Sequence, residues 1–85
     1  MMSKIPQKVG GDAEILRAGI IAELDAINLY EQMARAAKSR KIKKVLMEIA
    51  KEEKTHVGEF QALLLEIDKE QERELRAGKK EVEEI

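Results

Sequence analysis

The stretch IKKVLMEIAKEEKTHVGEFQALLLEI, residues 42–67, decides the fold. Along it Ile42, Leu46, Ile49, Glu53, His56, Phe60, Leu63 and Ile67 follow in steps of 4, 3, 4, 3, 4, 3 and 4. That alternation keeps one stripe of a helix pointing one way, the seam that buries against a partner helix. Upstream, Leu16, Ile20, Glu23, Ile27, Tyr30, Ala34 and Ala37 step by 4, 3, 4, 3, 4 and 3, a second unbroken seam. Both seams are apolar except at Glu23, Tyr30, Glu53 and His56. Those four exceptions point to function.

Outward from the seams, residues 1–11, MMSKIPQKVGG, hold the single proline and a glycine pair. Residues 1–12 are therefore expected to form a flexible lead, with Asp12 as the N-cap of a helix from Ala13 to about Ala37. The polar run Lys38-Ser39-Arg40-Lys41 makes a short turn, with Ser39 placed to cap a helix that continues to Ile67. Residues 13–67 thus read as a helical hairpin. Asp68 with Gln71 three residues on resembles a capping box, opening a C-terminal helical segment over 68–85. Leu75, Val82 and Ile85 are its apolar anchors, Gly78 is expected to interrupt it, and it is assigned to assembly.

The composition agrees with an all-α protein. The 85 residues are 44% hydrophobic and 39% charged but only 2% aromatic, whereas strands draw on aromatic and β-branched residues. The net charge of −1 gives the whole chain no pull toward nucleic acid or an anionic membrane. Leu63-Leu64-Leu65 is far too short an apolar run to span a bilayer. Residues 1–11 lack the apolar block of a signal peptide, and the absence of cysteine removes disulfides and thiolate metal sites. A chain of this length is marginal for a core of its own, so it is expected to oligomerise.

Helices joined by so short a turn lie antiparallel, and positions equally far from about residue 39 fall at equal heights. Glu23, Glu53 and His56 then share one layer, with Tyr30 opposite Ile49 one layer nearer the turn. Carboxylates in an apolar seam destabilise the fold by several kcal/mol unless compensated, on the order of the values for buried ions. No Lys or Arg occupies a seam position. A divalent cation supplies the missing charge, and carboxylate oxygen with imidazole nitrogen suits Fe, Mn or Zn better than Ca or Mg.

Glu-x-x-His alone is weak, since 14 of the 85 residues are Glu and chance supplies such a pair readily. A core histidine and an interface ion pair are the plain alternatives. Neither explains why Glu23 falls in the other seam at matching height. Di-iron bundle sites use one Glu from each of two helices and a Glu-x-x-His from each of two others. This chain holds half that set, so a two-fold homodimer is expected to complete both site and bundle. Tyr30 reads equally as core filler or as a donor to a ligating carboxylate.

The stretch IIAELDAINLY, residues 20–30, followed by EEKTH, residues 52–56, strongly resembles the encapsulated ferritins. These are short ferritin-like proteins found as cargo in encapsulin nanocompartments or fused to the shell protein. The resemblance implies a helical hairpin with a shorter C-terminal helix, dimerising into a ferritin-like four-helix bundle, and dimers closing into a ring, a decamer. It implies a ferroxidase using O2, with two Fe per dimer interface, lodged in the cytoplasm within an encapsulin shell where mineral collects. Glu23 takes the place of the bridging carboxylate, Glu53 and His56 of the terminal ligands, and Tyr30 of the tyrosine beside the site. Asp25 fits one acid of a secondary iron-access site, while Ala22 and Leu29 stand where some members carry an acid and an aromatic. No Gly-Ser-Leu-like encapsulation peptide precedes Ile85, so the native chain is expected to run on, as a shell fusion, or to be cut short here. Two other functions remain open: a metal-stapled structural or adaptor protein, and a rubrerythrin-like peroxide reductase, against which the lack of a cysteine-based iron site counts.

Overall fold

Two features of the chain dictate its path: long 3–4 periodic stretches and a connection too short for anything but a reversal. The structure, a computed structural model, describes residues 10–85. It consists of α1 (Gly11–Ala36), α2 (Arg40–Ile67) and α3 (Lys69–Glu83), with no strand among the described residues. Gly19 meets Phe60, Glu23 meets His56 and Glu31 meets Lys54, so one number falls as the other rises and α1 and α2 are antiparallel. The fold class expected from the seams is the one observed.

The ends show why each helix starts and stops. The chain enters α1 through Gly11 at φ +65°, in the left-handed region that favours glycine. Gly10 is the N-cap, and its N–H donates to the Glu14 carboxylate at 2.8 Å. Asp12 therefore lies inside the first turn and is not the cap. There, with Glu14, its charge faces the positive end of the helix dipole. The part of the expected lead before Gly10 lies outside the described residues. At the other end, the Lys43 ammonium donates to Ala34 O at 2.9 Å and Arg35 O at 3.4 Å, satisfying carbonyls that α1 leaves free. Ser39 caps α2 as expected, accepting from the Ile42 N–H at 3.2 Å.

Asp68 joins all three helices. Its N–H donates to Leu64 O at 2.8 Å, its carboxylate accepts from the Gln71 N–H at 2.9 Å, and Arg17 of α1 reaches it at 2.6 Å. The Gln71 amide first, and Arg17 second, hold the Asp68 carboxyl below its usual range. Contrary to the sequence expectation, α3 runs unbroken through Gly78. One glycine weakens a helix interior by only about 1 kcal/mol, and Glu72 pairs with both Lys69 and Arg76 on the preceding turns. No described residue of α3 is buried.

The core of one chain is thin. Among the described residues the buried apolar ones are Ala18, Ile27, Ala34, Ala50 and Leu64, of which three are alanines. The seam residues Ile42, Leu63 and Ile67 remain 54%, 51% and 53% exposed. The two ends of the α2 seam therefore lack cover within a single chain, whereas every residue of the α1 seam is buried or half-buried. No described helix is long and apolar enough to cross a membrane.

Candidate metal centre

Glu23 projects from the middle of α1, and Glu53 and His56 from one face of α2, three residues apart. One ligand atom from each of the three lies within 4.8 Å of the others. His56 Nδ1 stands 3.4 Å from Glu23 Oε2 and 3.5 Å from Glu53 Oε2. Both carboxylate side chains are 18% exposed, while the imidazole is 44% exposed. The layer inferred from distances to the turn is thus a physical cluster.

The cluster is short of positive charge. Glu23 Oε2 is buried and makes no hydrogen bond, although His56 Nδ1 is within ion-pairing distance. Two carboxylates share one imidazole, so even a protonated His56 would leave a net negative group. A buried acceptor without a donor destabilises the fold, and a cation removes the deficit. Two oxygens and one nitrogen form a donor set suited to Fe, Mn or Zn, and three protein ligands leave coordination positions for exogenous groups. The residues present fit a transition-metal ion.

The remaining candidates lie outside this group. Tyr30 is half-buried two turns along α1, and among the described residues its hydroxyl bonds to none of the three ligands. Asp25 is buried at 7% exposure, and two positions along a helix from Glu23 it faces nearly the opposite way. Beside the cluster, Lys54 pairs with Glu31 at 3.2 Å across the two helices. The close contact between Gly19 and Phe60 escaped sequence reasoning. Its signal was available: the one glycine in the first helical pattern lies level with the one phenylalanine of the second.

Comparison with known proteins gives the same outline. The Rubrerythrin family model matches residues 14–84. A ferritin-like–encapsulin shell fusion protein of Pyrococcus furiosus is 61% identical over 72 residues, covering 85% of this chain and 21% of the fusion protein. The encapsulin nanocompartment cargo protein EncC of Myxococcus xanthus is 38% identical over 72 residues, covering 81% of this chain and 55% of that protein. The chain therefore spans only part of either relative's length. The crystal structure of an encapsulated ferritin domain from Pyrococcus furiosus is similar at a TM-score of 0.86 and 54% identity, covering 94% of this chain and 85% of that one.

Proposed function

The chain belongs to the encapsulated ferritin family, and from that premise we propose that it is a ferroxidase, oxidising Fe2+ to Fe3+ with O2 at a di-iron site shared by two copies. The observation that carries this is the buried, unbonded Glu23 oxygen facing Glu53 and His56. A cluster built for its own stability would satisfy that oxygen from within the protein.

Iron is the substrate here. Two copies supply two Glu23 carboxylates and two Glu53–His56 pairs, the complement used by di-iron bundle proteins. Glu23 takes the bridging role, and each Glu53–His56 pair holds one ion as its terminal ligands. Tyr30, which bonds none of the three within one chain, is assigned as a donor to a ligating carboxylate of the completed site. Each Fe2+ gives one electron, so the pair reduces one O2 to peroxide, which leaves as H2O2 after taking up two protons, and the Fe3+ formed hydrolyses and leaves toward mineral. Hard anionic oxygens favour Fe3+ over Fe2+, which assists the electron loss. Asp25 is assigned to a secondary access site for incoming iron. The homodimers assemble into a ring of five, held with an encapsulin shell in the cytoplasm.

The test is ferric absorbance after O2 is admitted to anaerobically Fe2+-loaded protein, compared with a Glu53→Ala, His56→Ala variant. Equal rates in both proteins would sink the assignment. The match to the Rubrerythrin family model favours one second reading, a peroxide reductase at the same centre; peroxide consumed faster than O2 would establish it. Tight Zn2+ binding with no iron turnover would instead mark the metal as a structural staple.

A further inference from the structure

Gly19 precedes Glu23 by four residues on α1, and Phe60 follows His56 by four on α2. Each therefore shares a helix face with a ligand, one turn farther from the hairpin connection. A β-carbon at Gly19 would lie 3.2 Å from Phe60 Cδ2 and Cε2 and 3.4 Å from Cζ. Carbon atoms ordinarily settle at about 3.5–4.0 Å. The ring thus rests on bare α1 backbone. Glycine weakens a helix interior, and Gly19 sits well inside the 26 residues of α1. Its position is explained by the close approach it permits.

We infer that Gly19 and Phe60 set the spacing of α1 and α2 at the layer of Glu23, Glu53 and His56, and are positioning residues for metal binding. This rests on the metal-site reading given above. Accommodating a β-carbon at residue 19 requires the Phe60 ring to give by a few tenths of an ångström, and a ring packed against α1 passes that displacement to α2 unless it swings aside. Metal–ligand distances tolerate only about 0.2 Å. A displacement too small to unfold a hairpin is therefore large enough to spoil a site whose ligands come from both helices. A helix-stabilising substitution should then harm chelation without harming the fold.

The experiment is Co2+ titration, followed by calorimetry and visible absorption, on the unsubstituted protein, Gly19→Ala, Phe60→Leu and the double variant. Gly19→Ala should weaken Co2+ binding by about tenfold, in the range seen when groups that orient ligands are altered. It should also shift the absorption bands of bound Co2+ while leaving the metal-free melting temperature unchanged or raised. Adding Phe60→Leu to Gly19→Ala makes room for the β-carbon and should restore both affinity and spectrum. An unaltered affinity and spectrum in Gly19→Ala would overturn the proposal. So would a loss that follows a lowered metal-free melting temperature and is not rescued by the second substitution. A Glu53→Ala, His56→Ala control separates the two levels: if the unsubstituted protein binds Co2+ no better than this control, the metal site itself is refuted, and the positioning role falls with it.

Discussion

His56 Nδ1 and Glu23 Oε2 stand 3.4 Å apart across the α1–α2 interface, and that carboxylate oxygen is buried without a hydrogen bond. The contact has the distance of an ion pair but lacks the hydrogen bond that gives such pairs most of their strength. The carboxylate is poised for a stronger partner than the protein itself provides.

Replacing it with a neutral isostere should separate binding from folding. Glu23→Gln should lower transition-metal affinity by roughly two orders of magnitude. Metal-free stability should hold or rise by up to about 2 kcal/mol, because an under-compensated buried charge is removed. Calorimetric metal titration beside urea denaturation measures both. Retained affinity with a destabilised metal-free protein would mean that Glu23 is satisfied by protein groups.

Assembly should respond to metal. If the two halves of the site come from different chains, an ion that binds only the completed site draws chains together by mass action. Light scattering at low micromolar protein should then show mass increasing with added Zn2+ or anaerobic Fe2+, with no increase in Glu53→Ala, His56→Ala. An equal increase in that variant would detach assembly from the cluster.

The α2–α3 junction should fail only in strong acid. The folded chain holds the Asp68 carboxyl below its usual range, first through the Gln71 amide and then through Arg17. A depressed carboxyl contributes fully above its unfolded pKa, and the contribution is lost as pH falls through the lower folded value. Amide exchange over residues 69–72, corrected for intrinsic pH dependence, should therefore be level from about pH 5 to 8 and accelerate below about pH 4. Asp68→Ala should accelerate it by about fivefold at neutral pH, the effect of a lost N-cap. Acceleration beginning near neutrality would point to a different group.

Gly78→Ala should strengthen α3. The residue sits inside a helix, and a β-carbon there meets nothing within 4 Å. The gain is about 0.5–1 kcal/mol for an exposed helix interior, read as increased helicity by circular dichroism and slower exchange over residues 74–82. Decreased helicity would mean that α3 bends at Gly78 in solution.

Most of this architecture was legible because its determinants are local. Seven-residue spacing in both seams located two helices, and the side chains of Ser39 and Asp68 marked two starts by bonding to amides three residues on. Glu23, Glu53 and His56 were found because a short turn ties height to distance along the chain. The first cap was misplaced because Gly10 has no side chain to advertise it, and Asp12 offers an attractive one. Gly78 was overrated as a breaker, since no tertiary contact at that position enforces a bend. The degree of burial was not legible at all. Alanines at 18, 34 and 50 carry much of the core, while Ile42, Leu63 and Ile67 stay half-exposed. Periodicity reports which residues share a face, without saying whether their own chain covers it.

The three-residue connection between α1 and α2 also bears on the order of events in time. Contacts across a hairpin this tight close small loops, and such topologies fold in microseconds to milliseconds. The cluster of Glu23, Glu53 and His56 should accordingly be in place within a single chain early in folding. If a second copy completes the proposed site, refolding should divide into a fast step indifferent to protein concentration and a slower one that quickens as concentration rises, and only the second should produce metal-binding competence.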